Sequence, residues 1–187
     1  MWKSAAVFCG SRTGHNKLFV KHAVEVGLLL AENNVQLIYG GGRNGLMGIV
    51  ADTVLKNKGK VVGVIPSLLN EKEHQHEFLT ALHIVEDMHT RKKMMYELSD
   101  AAIILPGGYG TMDELFEIIT WNQLNIHDKT IVLLNSDGYY NSLIAHLQQM
   151  QEEDFLYTAW NESLFIISDP KALISLMNED THQNHPG

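Results

Sequence analysis

Ten of the 15 glycines in this sequence fall in three short runs, each following an apolar stretch: Gly10 and Gly14; Gly40, Gly41, Gly42, Gly45 and Gly48; and Gly107, Gly108 and Gly110. Glycine lets main-chain amides approach a ligand closely, and a helix starting after such a run aims its unpaired N–H groups and the positive end of its dipole there. One run alone reads as a tight strand-to-helix turn; three together point to a crevice for an anion, phosphate above all. The third run is the sharpest: Pro106-Gly107-Gly108-Tyr109-Gly110-Thr111-Met112-Asp113-Glu114. Thr111 with Glu114 three residues on also fits a capping box, in which each side chain satisfies a backbone donor at a helix start. Glu117, one turn beyond Glu114, adds a second carboxylate on nearly the same face, so one could cap while the other does chemistry.

A second feature is Arg91-Lys92-Lys93 at the start of a predicted helix, where cations oppose the macrodipole. Lys92 and Lys93 read as a solvated basic face. Arg91, nearest the preceding strand and hence the crevice, reads as a guanidinium able to hold a phosphate by two bonds. Other chemistries lack their parts. Gly40, Gly42 and Gly45 satisfy G-x-G-x-x-G, but the next strand ends Val64-Ile65-Pro66-Ser67, without the acidic residue that a dinucleotide ribose needs. Gly10-Ser11-Arg12-Thr13-Gly14-His15 lacks the Gly-Lys-Ser/Thr end of a P-loop. His74 and His76 lie in a polar connection without a clear third ligand, and read as solvated loop rather than a metal site. Cys9, with no base nearby in sequence, reads as a small core residue, and Met94 and Met95 as packing.

The elements that must position these residues follow from periodicity. Apolar runs over 5–9, 35–39, 61–65, 82–85, 101–105, 131–134 and 164–167 read as buried strands, and segments over 17–32, 46–57, 88–98, 112–124, 139–151 and 170–177 carry helical spacing. Strands alternating with helices predict an α/β fold: a Rossmann-like, doubly wound parallel sheet of about seven strands with helices on both faces. In such sheets the crevice lies beyond the carboxyl ends of the strands, where all three glycine runs fall. The 187 residues suit a single domain over 1–178, followed by a polar, flexible tail over 179–187. With 45% hydrophobic and 19% charged residues the composition is that of a globular protein, no stretch is long enough to cross a bilayer, and the opening residues do not resemble a secretory signal; the expected location is the cytoplasm, with no membrane partner. A single cysteine excludes an internal disulfide framework, and a net charge of −8 argues against nucleic acid as a partner.

These motifs resemble the LOG (Lonely Guy) family, cytokinin riboside 5′-monophosphate phosphoribohydrolases whose bacterial members were often labelled lysine decarboxylases. The resemblance runs from Phe8-Cys9-Gly10-Ser11 to about Leu147 and rests on Tyr39-Gly40-Gly41-Gly42 with Gly45-Leu46-Met47-Gly48, on Met88-His89-x-Arg91-Lys92-x-x-Met95, and on Pro106-Gly107-Gly108-Tyr109-Gly110-Thr111-x-x-Glu114. The run Trp121-x-x-Leu124-x-Ile126-His127 is similar too. Departures are Asp113 where glutamate is common, Arg12 where a second serine often follows, and Asp154-Phe155-Leu156 where the family tends to Gly-Phe-Ile. The resemblance implies cleavage of the N-glycosidic bond of a nucleoside 5′-monophosphate, such as AMP or an N6-substituted cytokinin-type nucleotide, without metal or organic cofactor, in a homodimer whose active sites lie near the subunit contact. It matches Arg91 and Glu114 to the catalytic pair, and Gly107, Gly108, Tyr109, Gly110 and Thr111 to the phosphate cradle. Gly10, Ser11, Gly41, Gly42, Met88, Lys92 and Glu117 are expected to complete the substrate site. The alternative reading is a non-catalytic carrier of a nucleotide or of the molybdenum cofactor, which related Rossmann-like proteins bind.

Overall fold

The computed structural model describes residues 1–67 and 76–178. Seven strands pair in parallel in the order β4-β3-β2-β1-β5-β6-β7. They are β1 (Ser4–Phe8), β2 (Gln36–Tyr39), β3 (Val61–Pro66), β4 (Ala81–Val85), β5 (Ala101–Ile104), β6 (Thr130–Leu134) and β7 (Leu164–Ile167). The helices among the described residues are α1 (Lys17–Glu32), α2 (Gly45–Lys56), α3 (Met88–Glu97), α4 (Tyr109–Gln123), α5 (Asn141–Glu152) and α6 (Leu173–Asn178), with single 3₁₀ turns at Ser136–Gly138 and Pro170–Ala172. The expected doubly wound α/β architecture is the observed one. The predicted tail and most of the polar connection around His74 lie outside the described residues.

The sheet is buried on both faces, which is why its strands read as unbroken apolar runs rather than alternating ones. Ala5, Val7 and Cys9 of the β1 segment face α1, α2 and α6, in one core with Leu37, Ile103 and Leu134. Ala6 and Phe8 face the other way, packing with Met95 and Tyr96 of α3, Leu115 and Ile118 of α4, and Leu147 of α5. Caps set two helix starts. Asn16 accepts from the Leu18 amide at 2.9 Å, and Asp87 accepts from the Thr90 amide at 2.7 Å. That hydrogen bond holds the Asp87 carboxyl below its usual range.

From β1 the chain winds outward to β4 and then returns to β5 on the other side of β1, so the order reverses between β1 and β5. A crevice belongs at that switch point, beyond the carboxyl ends of the two strands. Their register, Phe8 beside Ile104, delivers the first and third glycine runs to the same place. The second run joins them through Gly45, which has φ +61° and stands so close to the β1 loop that a Cβ would come within 2.3 Å of the Ser11 carbonyl carbon. Gly45→Ala therefore meets both a left-handed backbone and a main-chain collision, and is expected to cost at least about 1–3 kcal/mol, read as a lowered urea midpoint. An unchanged midpoint would show that the two loops are free to part.

Candidate functional site

Two main-chain hydrogen bonds stitch the three loops together. The Gly10 amide donates to the Pro106 carbonyl at 3.0 Å, and the Leu46 amide, at the start of α2, donates to the Gly10 carbonyl at 3.0 Å. Between the first and third loops opens a crevice of about 270 Å³ whose lining includes Gly10, Ser11, Phe19, Leu46, Gly107, Gly108 and Tyr139. Four expected substrate residues, Gly10, Ser11, Gly107 and Gly108, are thus brought together. Gly107 is packed, since a Cβ there would lie 2.1 Å from Thr111 Oγ1, whereas beyond Gly108 and Gly110 there is open space.

The capping-box reading of Thr111 and Glu114 does not survive. Helix α4 starts at Tyr109 with Gly108 as its N-cap and no side-chain cap bond, so Thr111 is already the third helical residue and Glu114 lies beyond the first turn. Gly108 takes the extended conformation of an N-cap without a side chain, leaving the amides of Tyr109, Gly110 and Thr111 without helical acceptors. That is the geometry of an anion site. Tyr109 projects fully into solvent at 97% exposure, while the Thr111 side chain is buried beside Gly107.

Arg91 is only 5% exposed. Its Nη2 donates to the Gly40 carbonyl at 3.3 Å, its Nη1 faces the Met88 sulfur at 3.7 Å, and its Nε is buried without a hydrogen-bond partner. Among the described residues no carboxylate lies within ion-pair distance of it. The contact depends on glycine: a Cβ at Gly40 would fall 1.9 Å from Nη2. Gly41 and Gly42 are buried beside it, and the Gly41 carbonyl accepts from the His76 amide at 3.2 Å. His76 itself corrects the solvated-loop expectation. It is 4% exposed, with Nε2 3.1 Å from Asp52 Oδ1 and Nδ1 accepting from the Phe78 amide at 3.3 Å, so a neutral ring with its proton on Nε2 satisfies both contacts. His74 lies outside the described residues, among which no three potential ligands gather to hold a metal ion.

On the neighbouring helix faces the charges are paired. Lys92 Nζ lies 3.0 Å from Asp113 Oδ2 and 3.1 Å from Glu117 Oε1, and the Tyr96 hydroxyl donates to Glu117 Oε2 and to the Glu114 carbonyl, each at 3.1 Å. Lys92 is thus no part of a solvated face. Burial opposes its charge, but the bonds to Asp113 and Glu117 outweigh that and raise its pKa. Lys93 is exposed, 3.8 Å from Glu97, as a solvated face requires. Glu114 is half-buried close enough to β1 that its charge, after burial itself, pushes the Cys9 thiol up, which makes Cys9 an inert core residue. Sequence reasoning missed Tyr96, Tyr139 and Tyr140. The dipeptide Tyr139-Tyr140 after Asp137-Gly138 was visible as a turn behind a strand, but its partners lie 35 residues or fewer upstream on another strand end.

A parallel sheet whose order reverses beside three glycine loops, with a buried guanidinium among them that has no ion pair among the described residues, defines a Rossmann-like α/β protein. The family model described as "possible lysine decarboxylase" matches residues 47–177. The cytokinin riboside 5′-monophosphate phosphoribohydrolase LOG1 of Arabidopsis thaliana is 44% identical over 171 residues, 91% of this chain and 79% of that protein. The cytokinin riboside 5′-monophosphate phosphoribohydrolase of Rhodococcoides fascians is 42% identical over 174 residues, 92% of this chain and 88% of that protein. The chain belongs to the LOG family. Among solved structures, the molybdenum cofactor binding protein of Rippkaea orientalis superposes with a TM-score of 0.71 at 22% identity, covering 95% of this chain and 96% of that one, which is a likeness of fold.

A buried cation with one neutral oxygen acceptor sits poorly in the unliganded protein. Arg91→Met keeps the volume and removes the charge, so the melting temperature without ligand is expected to stay the same or to rise by a few degrees, about 2–4 °C per kcal/mol gained in a chain of this size. A fall worth more than about 3 kcal/mol would make the guanidinium a structural element instead.

Proposed function

We propose that the protein hydrolyses the N-glycosidic bond of a nucleoside 5′-monophosphate, AMP or an N6-substituted cytokinin-type nucleotide, releasing the free base and ribose 5-phosphate. The observation that carries the reading is Arg91: buried, short of partners and beside the glycine loops, in a chain whose relatives are named for this reaction. Arg91 and Glu114 act as the catalytic pair. The amides of Gly108, Tyr109, Gly110 and Thr111 receive the 5′-phosphate, with Gly107 closing the cradle, while Gly10, Ser11, Gly41, Gly42 and Met88 shape the rest of the site. Lys92 and Glu117 belong to the same substrate wall, each bridging α3 and α4.

Breaking the bond develops positive charge on the ribose, as in glycoside hydrolysis. The Glu114 carboxylate stabilises that charge and orients the attacking water, and Arg91 holds the substrate in register. One water is consumed, its oxygen ending on the anomeric carbon and a proton on the departing base. The chain acts in the cytoplasm as a homodimer of single-domain subunits, with a nucleotide as its partner and neither nucleic acid nor membrane, and needs no cofactor. The likeness to molybdenum cofactor binding proteins keeps a non-catalytic carrier as the competing reading, and turnover decides between them. Decarboxylation of lysine is disfavoured by the lysines themselves. Lys92 is held in ion pairs, and Lys129, whose pKa burial lowers, donates to the Ser99 carbonyl at the amino end of β5, the opposite edge from the crevice.

Two outcomes are expected. In assays of released base, AMP should exceed adenosine in kcat/KM by on the order of 100-fold or more, because the cradle is left empty by the nucleoside; equal values would remove the phosphate from the reaction. Glu114→Gln keeps the side chain's size and hydrogen-bonding capacity and removes only its charge, so it should leave the melting temperature nearly unchanged and lower kcat by on the order of 100-fold or more, with AMP binding retained. An active variant would move the role to Glu117.

A further inference from the structure

Three consecutive carbonyls of the loop leading into α4 are each held from outside it. The Tyr140 hydroxyl donates to Leu105 O at 2.7 Å, the Gly10 amide to Pro106 O at 3.0 Å, and the Tyr139 hydroxyl to Gly107 O at 2.6 Å. We propose that Tyr139 is a positioning residue for anion recognition, whose hydroxyl fixes the Gly107–Gly108 peptide so that the loop meets the phosphate with amides rather than with a carbonyl. This rests on reading that loop as the phosphate cradle.

The physical need is specific to this loop. In a trans peptide the carbonyl of Gly107 and the amide of Gly108 point in opposite directions, so holding one aims the other. Both flanking residues are glycines, which can rotate that plane at little cost. A carbonyl turned into the crevice would set its negative end against an anion. Tyr140 is 2% exposed and anchors Leu105 from within the core. Tyr139, by contrast, is 46% exposed and stands in the crevice wall, so its hydroxyl draws the Gly107 carbonyl toward that wall and away from the opening.

The hydroxyl is well placed to act alone. The Tyr139 ring packs edge-on against Phe19 at 5.4 Å and Tyr140 at 4.8 Å, contacts that phenylalanine would retain. The turn that presents it is built independently of the cradle. Asp137 and Gly138 take φ of +52° and +71°, and the Asn135 side chain accepts from the Tyr140 amide at 2.7 Å while donating to Asn141 at 2.8 Å.

The test is Tyr139→Phe in the full chain, with inorganic phosphate and ribose 5-phosphate titrated by calorimetry and AMP and adenosine hydrolysis measured alongside. Losing one hydrogen bond to the cradle should weaken both phosphate ligands and raise the KM for AMP by roughly 3- to 10-fold, with kcat little changed. The adenosine rate should stay at the wild-type value, and the melting temperature should fall by no more than about 2–4 °C. Undiminished phosphate binding in the variant would overturn the role of Tyr139 and leave the cradle standing. Equal losses on AMP and adenosine would also overturn it, by making the hydroxyl merely structural. A wild-type protein that binds neither phosphate ligand would overturn the cradle reading and this proposal together, whereas one that binds both without cleaving AMP would leave Tyr139 in place and remove only the hydrolase.

Discussion

The contact between the Arg91 guanidinium and the Gly40 carbonyl is the constraint from which the rest of the carboxyl edge follows. A guanidinium with only 5% of its residue exposed has lost most of its hydration, and here it recovers one carbonyl and a methionine sulfur. The uncompensated part of that cost is the ground on which we propose the residue as a receptor rather than a brace. Position 40 must be glycine, because any side chain would occupy the space of Nη2. The next residue, Gly41, accepts from the His76 amide, and His76 in turn is held by Asp52 of α2. A single buried cation thereby requires glycine at position 40, next to the residue that receives a buried histidine from the connection beyond β3.

Around it the loops are joined by main chain rather than by side chains. The bonds from Gly10 to Pro106 and from Leu46 to Gly10 tie the ends of β1, β2 and β5 into one rim. Farther from the rim, Lys92, Asp113, Glu117 and Tyr96 lock α3 to α4. The division is chemically sensible. Salt bridges between the helices fix where Arg91 and Glu114 stand, while the start of α4 leaves amides without helical acceptors, whose dipoles are rigid and need no reorganisation when a charge arrives.

Much of this was legible in the sequence because it is local. Continuous apolar runs gave buried strands, and the Lys17–Glu32 and Met88–Glu97 helices fall within a residue of their periodic segments. The three glycine runs converged as expected, since a doubly wound sheet puts every β-to-α loop on one edge. What failed depended on tertiary partners. Helix α4 begins three residues before the predicted Met112, because Tyr109-Gly110 has poor helix propensity yet lies where a helix start can leave amides free. His76 is buried by Asp52 and Lys92 is paired by α4, and neither partner is near in sequence. The grip of Tyr139 and Tyr140 on the loop after β5 has no periodic signature at all.

The central claim is that this edge holds a phosphate with α4 amides and offers the rest of the ligand to Arg91 and Glu114. A crystal structure of the protein with ribose 5-phosphate tests it most directly. The account predicts the phosphate against the amides of Gly108, Tyr109, Gly110 and Thr111, the sugar facing Glu114, and an oxygen of the ligand on the Arg91 Nε that now lacks a partner. A phosphate bound elsewhere on the sheet, or one seated at α4 with Arg91 Nε still unpartnered, would contradict it.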